Sequence, residues 1–363
     1  MLLKTSKYCL FVRQDLADLQ PGLFEADELY GMKSDLYMYK DLKEYLSTKN
    51  IDLNTQNVNS PTESDVILCL NETGFFENYQ RTPANKKLAL ILTEPPVYNE
   101  KDWSGERHRI FDTVFTYNSG LVKKNPARYV KIVYPIDLSA KAAFKLPSAS
   151  DFDKKKLAVI VASSFTIESP EKNLNSLLTE RYRVLKWFNR NAPNLLDHYS
   201  RTNPLKNFSH FRGAALTNKI NPRMTRLIAR YLYRKNNSRI YKGAIESLDK
   251  NRVLASYKFN FCFENSEIKG YITEKIFDCF FSHTVPVYYG APDIDEYIPG
   301  NCFIRFKDFK NMQELQQFLS GMNYEDYLQY LENAKSFLNS PASAKFNSMI
   351  FSQTIYDTCT HEH

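Results

Sequence analysis

The sequence predicts an α/β fold of two parallel-sheet domains, and three observations carry that prediction. Short apolar runs alternate with longer polar stretches of helical spacing along the chain, as buried strands and their crossovers do. The stretch Tyr257 to Tyr289 reads as strand, charged turn, short helix and second strand. A segment of small residues with Pro147, Leu138 to Asp153, reads as a linker and divides the chain into domains at 1–150 and 151–340, with 341–363 closing it. At 363 residues, each domain can bury its own core.

In the first domain, Tyr8 to Val12, Val66 to Leu70, Leu88 to Leu92, Thr113 to Thr116 and Val130 to Val133 are the expected strands. Leu36, Tyr39, Leu42 and Leu46 fall at helical spacing within Asp35 to Lys49, and the polar, turn-rich Asn50 to Ser64 reads as a loop. Leu157 to Val161 opens the second domain as a strand. A helix over Pro170 to Asn189 would turn Leu174, Leu177, Leu178, Tyr182, Leu185 and Phe188 inward. Helical patterns over Met312 to Leu319, Tyr324 to Leu338 and Ala344 to Thr358 close the chain.

Within Tyr257 to Tyr289, Phe259, Phe261 and Phe263 suit a strand covered on both faces. It ends at Glu264, Asn265 and Ser266, Gly270 allows a turn, and Thr273 can cap a helix beginning at Glu274. Ile276, Phe277, Phe280 and Phe281 give that helix a face for a sheet, and Val285 to Tyr289 is the next strand. In such a unit anions bind at the strand ends and the helix amino terminus, where backbone N–H groups are unpaired. A phosphate beside Lys275 would gain the helix dipole and a full charge together, and Glu274 can accept two ribose hydroxyls. A surface Glu-Lys pair fits the same spacing.

FENSEIKGYITEKIF followed by VPVYYG resembles the signature of the α-1,3-fucosyltransferase family. Lys242-Gly243, the upstream YKFNF and the downstream YIPGNCFI and FKDF extend the resemblance over roughly Lys156 to Tyr356. It implies the GT-B architecture, two Rossmann-like domains facing each other across a cleft, with the last helix returning to the first domain. It also implies GDP-fucose as donor and an inverting transfer, with α-1,3 linkage to N-acetylglucosamine or glucose in an oligosaccharide or glycolipid of Lewis type.

Sugar transfer needs a carboxylate to take the acceptor's proton and positive charge for the departing diphosphate. Glu94 follows LALILT directly, stiffened by Pro95 and Pro96, where the family carries a Glu-Ser-Pro type motif; the resemblance makes it the base. For the diphosphate, TERYRVLKWF offers Arg181 and Arg183, of which Arg181 fits the family's spacing better. The resemblance further places Asn265 and Tyr271 in the donor pocket, Glu274 on the ribose and Lys275 on the phosphates, with Glu264 orienting the turn. At Asn260 the chain departs from the vertebrate pattern, where a tyrosine is usual. The D-x-D matches Asp293-Ile-Asp295 and Asp151-Phe-Asp153 read as surface aspartates, because Lys275 and an arginine already supply positive charge. No cofactor is therefore expected, with Mn2+ or Mg2+ stimulating some family members.

Composition narrows little else. A net charge of +7 from 48 basic and 41 acidic residues suits nucleotide sugars and anionic membrane alike. Arg223, Arg226, Arg230 and Arg234 line one side of an amphipathic helix, which could rest on an anionic membrane or turn its apolar side to the core. Nucleic-acid binding is not expected, for no aromatic interleaving accompanies those arginines. The six cysteines have no zinc spacing and sit in apolar runs, so buried reduced thiols and a reducing compartment are expected. No apolar run approaches a membrane span, and Lys4, Lys7 and Arg13 break the amino terminus, so the expected location is cytoplasmic, with peripheral contact at the inner face of the membrane. Trp103 could stack on an acceptor sugar or pack beneath its loop.

Overall fold

A computed structural model of the chain describes residues 5–19, 22–26, 37–71, 86–98, 100–139, 141, 144–162, 176–200, 239–245 and 250–360. Among them run two parallel sheets of six strands each. The first holds β1 (Ser6–Phe11), β2 (Ile51–Thr55), β3 (Val66–Leu70), β4 (Lys87–Leu92), β5 (Thr113–Thr116) and β6 (Tyr129–Lys131), in the order β2-β1-β3-β4-β5-β6. The second holds β7 (Lys156–Val161), β8 (Leu196–Tyr199), β9 (Tyr241–Gly243), β10 (Tyr257–Phe263), β11 (Val285–Tyr289) and β12 (Ile304–Arg305), in the order β12-β11-β10-β7-β8-β9. In that second sheet the chain walks outward from β7 to β9, then returns to the other side of β7 with β10. The strand order therefore reverses between β7 and β10, and ligands of open parallel sheets bind outside the carboxyl ends of the strands at such a reversal.

The central strands form where the sequence is predominantly apolar. All five residues of β3 are buried, and so are six of the seven of β10. The strand β10 is covered on both faces. Phe261 packs on Phe188 of the helix Leu178–Asn191, with ring centroids 5.5 Å apart, while Asn260 on the opposite face donates to Cys279 Sγ of the helix Glu274–Phe281 at 3.2 Å. Phe277 and Phe280 of that helix are at most 1% exposed, each contributing about 1.5–3 kcal/mol of burial. The last helix, Ser348–Thr360, turns Phe351, Ile355 and Cys359 into the core of the first sheet, and Lys87 Nζ donates to Thr358 O at 2.6 Å. All six cysteines are buried and none is in a disulfide.

Several elements differ from the sequence reading. Within Asn50 to Ser64, expected to be a loop, Ile51–Thr55 is the edge strand β2; Ile51, Leu53 and Thr55 point inward and Asp52 and Asn54 outward. The linker ends in a helix, Ala149–Lys154, whose Ser148 and Asp151 form a capping box, so Asp151 is a cap rather than a free carboxylate. The helix expected from Pro170 begins at Leu178; residues 170–175 lie outside the described residues, as does the arginine stripe Arg223 to Arg234. The closing helical pattern is split, with a 3-10 turn over Pro341–Phe346 ahead of the helix at Ser348. Strands β8, β9 and β12, of four, three and two residues, are too short for periodicity to announce.

Candidate active site

The turn after β10 is built around a buried carboxylate. Glu264 is 0% exposed; its N–H extends the sheet to Tyr289 O at 2.9 Å, and its side chain folds under the next helix. Glu264 Oε1 accepts from Thr273 N and Oε2 from Thr273 Oγ1, each at 2.8 Å. Thr273 stands at the cap position but makes no cap bond of its own, because its hydroxyl is given to Glu264. A buried anion needs a counter-charge, and Lys275 Nζ supplies it at 3.4 Å from Glu264 Oε2 and 3.4 Å from Glu274 Oε1. Burial alone would lower the Lys275 pKa, but the two carboxylates outweigh it and hold it above its ordinary value. Burial would likewise raise Glu274, yet Lys275 and Lys250 bring its carboxyl down to about 2.

Arg181 joins the same turn from the helix Leu178–Asn191. It is 3% exposed and donates to Phe263 O at 2.6 Å and to Asn265 Oδ1 at 2.7 Å, while its Nε is buried with no partner among the described residues. Arg183, two residues on, points to solvent and pairs with Glu180. Helical geometry thus separates the two candidates. Asn265 Nδ2 donates to the Tyr271 hydroxyl at 3.3 Å, which ties Arg181, Asn265 and Tyr271 into one chain.

The first sheet contributes the opposing wall. Glu94 is exposed just beyond β4, and its backbone is fixed at three points. Its N–H donates to Asn71 Oδ1 at 3.0 Å, and its carbonyl accepts from Trp103 Nε1 at 3.1 Å and from the Tyr117 hydroxyl at 3.5 Å. Trp103 therefore packs beneath its loop, against Tyr117 at 5.4 Å between centroids. The ring of Tyr117 in turn lies 4.7 Å from that of Tyr271 and tilted 41° to it, so the two walls meet through a pair of tyrosines. Burial raises the Tyr271 pKa most, and the charges of Glu94 and Glu264 raise it further. Half-exposed Tyr98 is raised by burial, lowered by Lys275 and Arg181 and raised by Glu94 and Glu274, which puts it within electrostatic reach of both walls.

The structure therefore gathers Arg181, Glu264, Asn265, Tyr271, Glu274 and Lys275 around one turn, with Glu94 on the facing wall. Asn260 lies elsewhere, in the interior beneath the helix. Of the D-x-D aspartates, Asp293 Oδ1 accepts from Gly270 N at 2.8 Å and Asp295 pairs with Arg305, so both hold loops in place. Sequence reasoning missed Asn71 and Tyr98. Asn71 has φ +46 and binds Thr93 as well as Glu94; an asparagine directly after VILCL was the available signal, since asparagine tolerates the left-handed region. Tyr98 carries no local pattern.

Two parallel-sheet lobes that meet at their strand ends over a cluster of buried charges define a GT-B glycosyltransferase fold. The chain superimposes on a crystal structure of alpha1,3-fucosyltransferase with GDP-fucose at a TM-score of 0.53 and 19% identity, covering 100% of this chain and 94% of that one. It superimposes on alpha-glucosyltransferase in complex with UDP at 0.54 and 11% identity, covering 98% and 100%. Residues 219–363 match the model of glycosyltransferase family 10 (fucosyltransferase), C-terminal part. Over 122 residues the chain is 35% identical to alpha-(1,3)-fucosyltransferase FucT of Helicobacter pylori, covering 30% of this chain and 26% of that protein. Over 84 residues it is 42% identical to GDP-fucose protein O-fucosyltransferase 3 of Rattus norvegicus, covering 22% and 17%. The matched stretches thus span about a quarter or less of these curated relatives. Among the described residues, no helix is long and apolar enough to cross a membrane.

Proposed function

We propose that the chain transfers fucose from GDP-fucose to a hydroxyl of N-acetylglucosamine or glucose in an oligosaccharide, in α-1,3 linkage and with inversion. The observation that carries this reading is the pairing of two cations, buried Arg181 and half-buried Lys275, at the strand-order reversal with an exposed carboxylate, Glu94, on the facing wall. Glu94 takes the proton of the acceptor hydroxyl, whose oxygen attacks the anomeric carbon from the face opposite the diphosphate. Lys275 and the Nε of Arg181, which has no partner among the described residues, stabilise the charge that develops on the leaving GDP. Glu274, ionised at neutral pH, accepts from the ribose hydroxyls; Asn265 and Tyr271 hold Arg181 in position.

The two cations make a metal unnecessary for this charge balance, so Mn2+ or Mg2+ would stimulate rather than enable transfer. The six thiols, none in a disulfide, fit a reducing, cytoplasmic setting, where a glycolipid acceptor would be met at the inner face of the membrane. A polypeptide acceptor is the second reading, favoured by the similarity to GDP-fucose protein O-fucosyltransferase 3.

Incubation with GDP-fucose and a panel of lactosamine-type glycans and peptides, followed by linkage analysis, tests both. Fucose in α-1,3 linkage on a glycan is the expected product. Turnover on peptides alone selects the second reading, and preferred use of GDP-mannose or UDP-glucose in donor competition overturns the donor assignment.

A further inference from the structure

At the end of the second sheet away from Glu264 lies a cavity of about 580 Å3, lined by residues that include Lys145, Asp151, Lys154, Lys155, Ser282 and His283. Lys155 directly precedes β7, and Ser282 and His283 lie just ahead of β11. Glu264 follows β10, whose seven residues at about 3.3 Å each put the two ends roughly 20 Å apart. The cavity is thus separate from the cleft, and within the range that holds small ligands, roughly 300–1,000 Å3.

Its charge is unbalanced. Among the described residues that line it, three lysines face one carboxylate, and Asp151 is already occupied by Ser148, whose N–H and hydroxyl donate to it at 3.0 and 2.7 Å. Lys155 Nζ donates to two carbonyls, His283 O at 2.8 Å and Tyr257 O at 3.4 Å, neither of which carries a neutralising charge. Burial pushes its pKa down to about 8, the direction expected of an ammonium short of a counter-ion. Ser282 is 2% exposed, and its Oγ and the Nε2 of His283 are buried with no hydrogen-bond partner among the described residues. Buried polar atoms are seldom left in this state.

We propose that this cavity binds a phosphomonoester dianion. Three ammonium groups and one carboxylate leave two positive charges, which a group carrying about −1.5 to −2 at neutral pH matches. Lysines suit it as point charges that need no planar fork. The hydroxyl of Ser282 and the imidazole of His283 would gain the acceptors they lack. Because Lys145 lies in the segment that joins the two sheets, an occupant would tie that segment to the back of the donor lobe.

The soluble and lipid forms of this ligand are separated by glycerol 3-phosphate, followed by 31P NMR titration of the full chain, and by phosphatidylcholine vesicles containing phosphatidic acid. Saturable binding of glycerol 3-phosphate, weakened about tenfold or more by Lys154→Glu and by Ser282→Ala and unchanged by Lys275→Ala, is expected. Lys154 is exposed, so its substitution leaves the fold intact. Retention on phosphatidic acid vesicles that Lys154→Glu abolishes would identify a lipid headgroup as the source; binding of glycerol 3-phosphate without retention would identify a soluble ester. Either result supports the site. Absence of saturation in both assays, equal retention on phosphatidylglycerol vesicles, or binding lost with Lys275→Ala but kept in Lys154→Glu would overturn it.

Discussion

Gly270, in the turn between β10 and its helix, meets the carbonyl oxygen of Tyr117 from the other lobe so closely that a Cβ at residue 270 would overlap it. Gly270 also has φ +78, in the left-handed region. Around this contact the tyrosine pair Tyr117–Tyr271 and a 3.3 Å hydroxyl contact between Ser119 and Tyr297 join the lobes. We predict that Gly270→Ala costs about 1–2 kcal/mol for the conformation alone, and more for displacing a backbone carbonyl that no rotamer can move. The thermal midpoint should fall by a few degrees, and X-ray scattering should show the lobes further apart. A variant with wild-type melting and wild-type scattering would show that the turn yields without cost.

Glu94→Gln keeps the size and the backbone bonds to Asn71 and Trp103 while removing the charge. If Glu94 is the base, fucose transfer should drop by roughly 10²–10⁴-fold, with GDP-fucose binding by calorimetry unchanged. Binding that falls in step with turnover would mean that the carboxylate positions the donor instead of moving a proton.

How much of this was legible in the sequence depended on how evenly each element is buried. β3, β4 and β10 lie between covering layers, so nearly every position is apolar, Lys87, Lys258 and Asn260 apart, and the runs stood out. β2 is an edge strand whose outward Asp52 and Asn54 imitate a loop. In the candidate site, the clustering of Glu264 through Lys275 was legible because these residues form one contiguous block of sequence. Arg181 and Arg183 could not be separated by composition; only the helix's rotation against β10 turns one inward and leaves the other at the surface. Asn71 is hinted at only by an asparagine placed directly after VILCL, and its bonds to Thr93 and Glu94 form once the sheet has assembled; nothing in the neighbours of Tyr98 foretells it.

Lys275→Ala removes the cation nearest Glu264, which is fully buried, and one of those holding Glu274 ionised. Because Lys275 already answers two carboxylates, its net pull on a phosphate is blunted, and a loss of about tenfold in GDP affinity is expected, near the lower end of 1.5–3 kcal/mol for a charged hydrogen bond. Lys275→Arg should recover part of it. Unchanged GDP affinity in a folded Lys275→Ala protein would exclude this residue from the phosphate site.

Acid should destabilise the protein in two windows. Burial lowers His198 from 6.5 to about 4, with Nε2 against Ala162 O at 3.2 Å and Nδ1 without a partner among the described residues. For Glu274, burial is outweighed by Lys275 and Lys250, and the value moves from 4.5 to about 2. In each case the unfolded chain binds the proton more readily, so stability rises with pH through the window and is lost as pH falls through the folded value. His198 should therefore shape the decline from pH 6.5 to about 4, and Glu274 the decline from 4.5 to about 2. Urea melts across the acid range should show the lower slope flattened in Glu274→Gln and the upper one flattened in His198→Gln. A Glu274→Gln protein that still loses stability below pH 4.5 with the wild-type slope would mean that the Lys275–Glu274–Lys250 cluster is not what holds this turn.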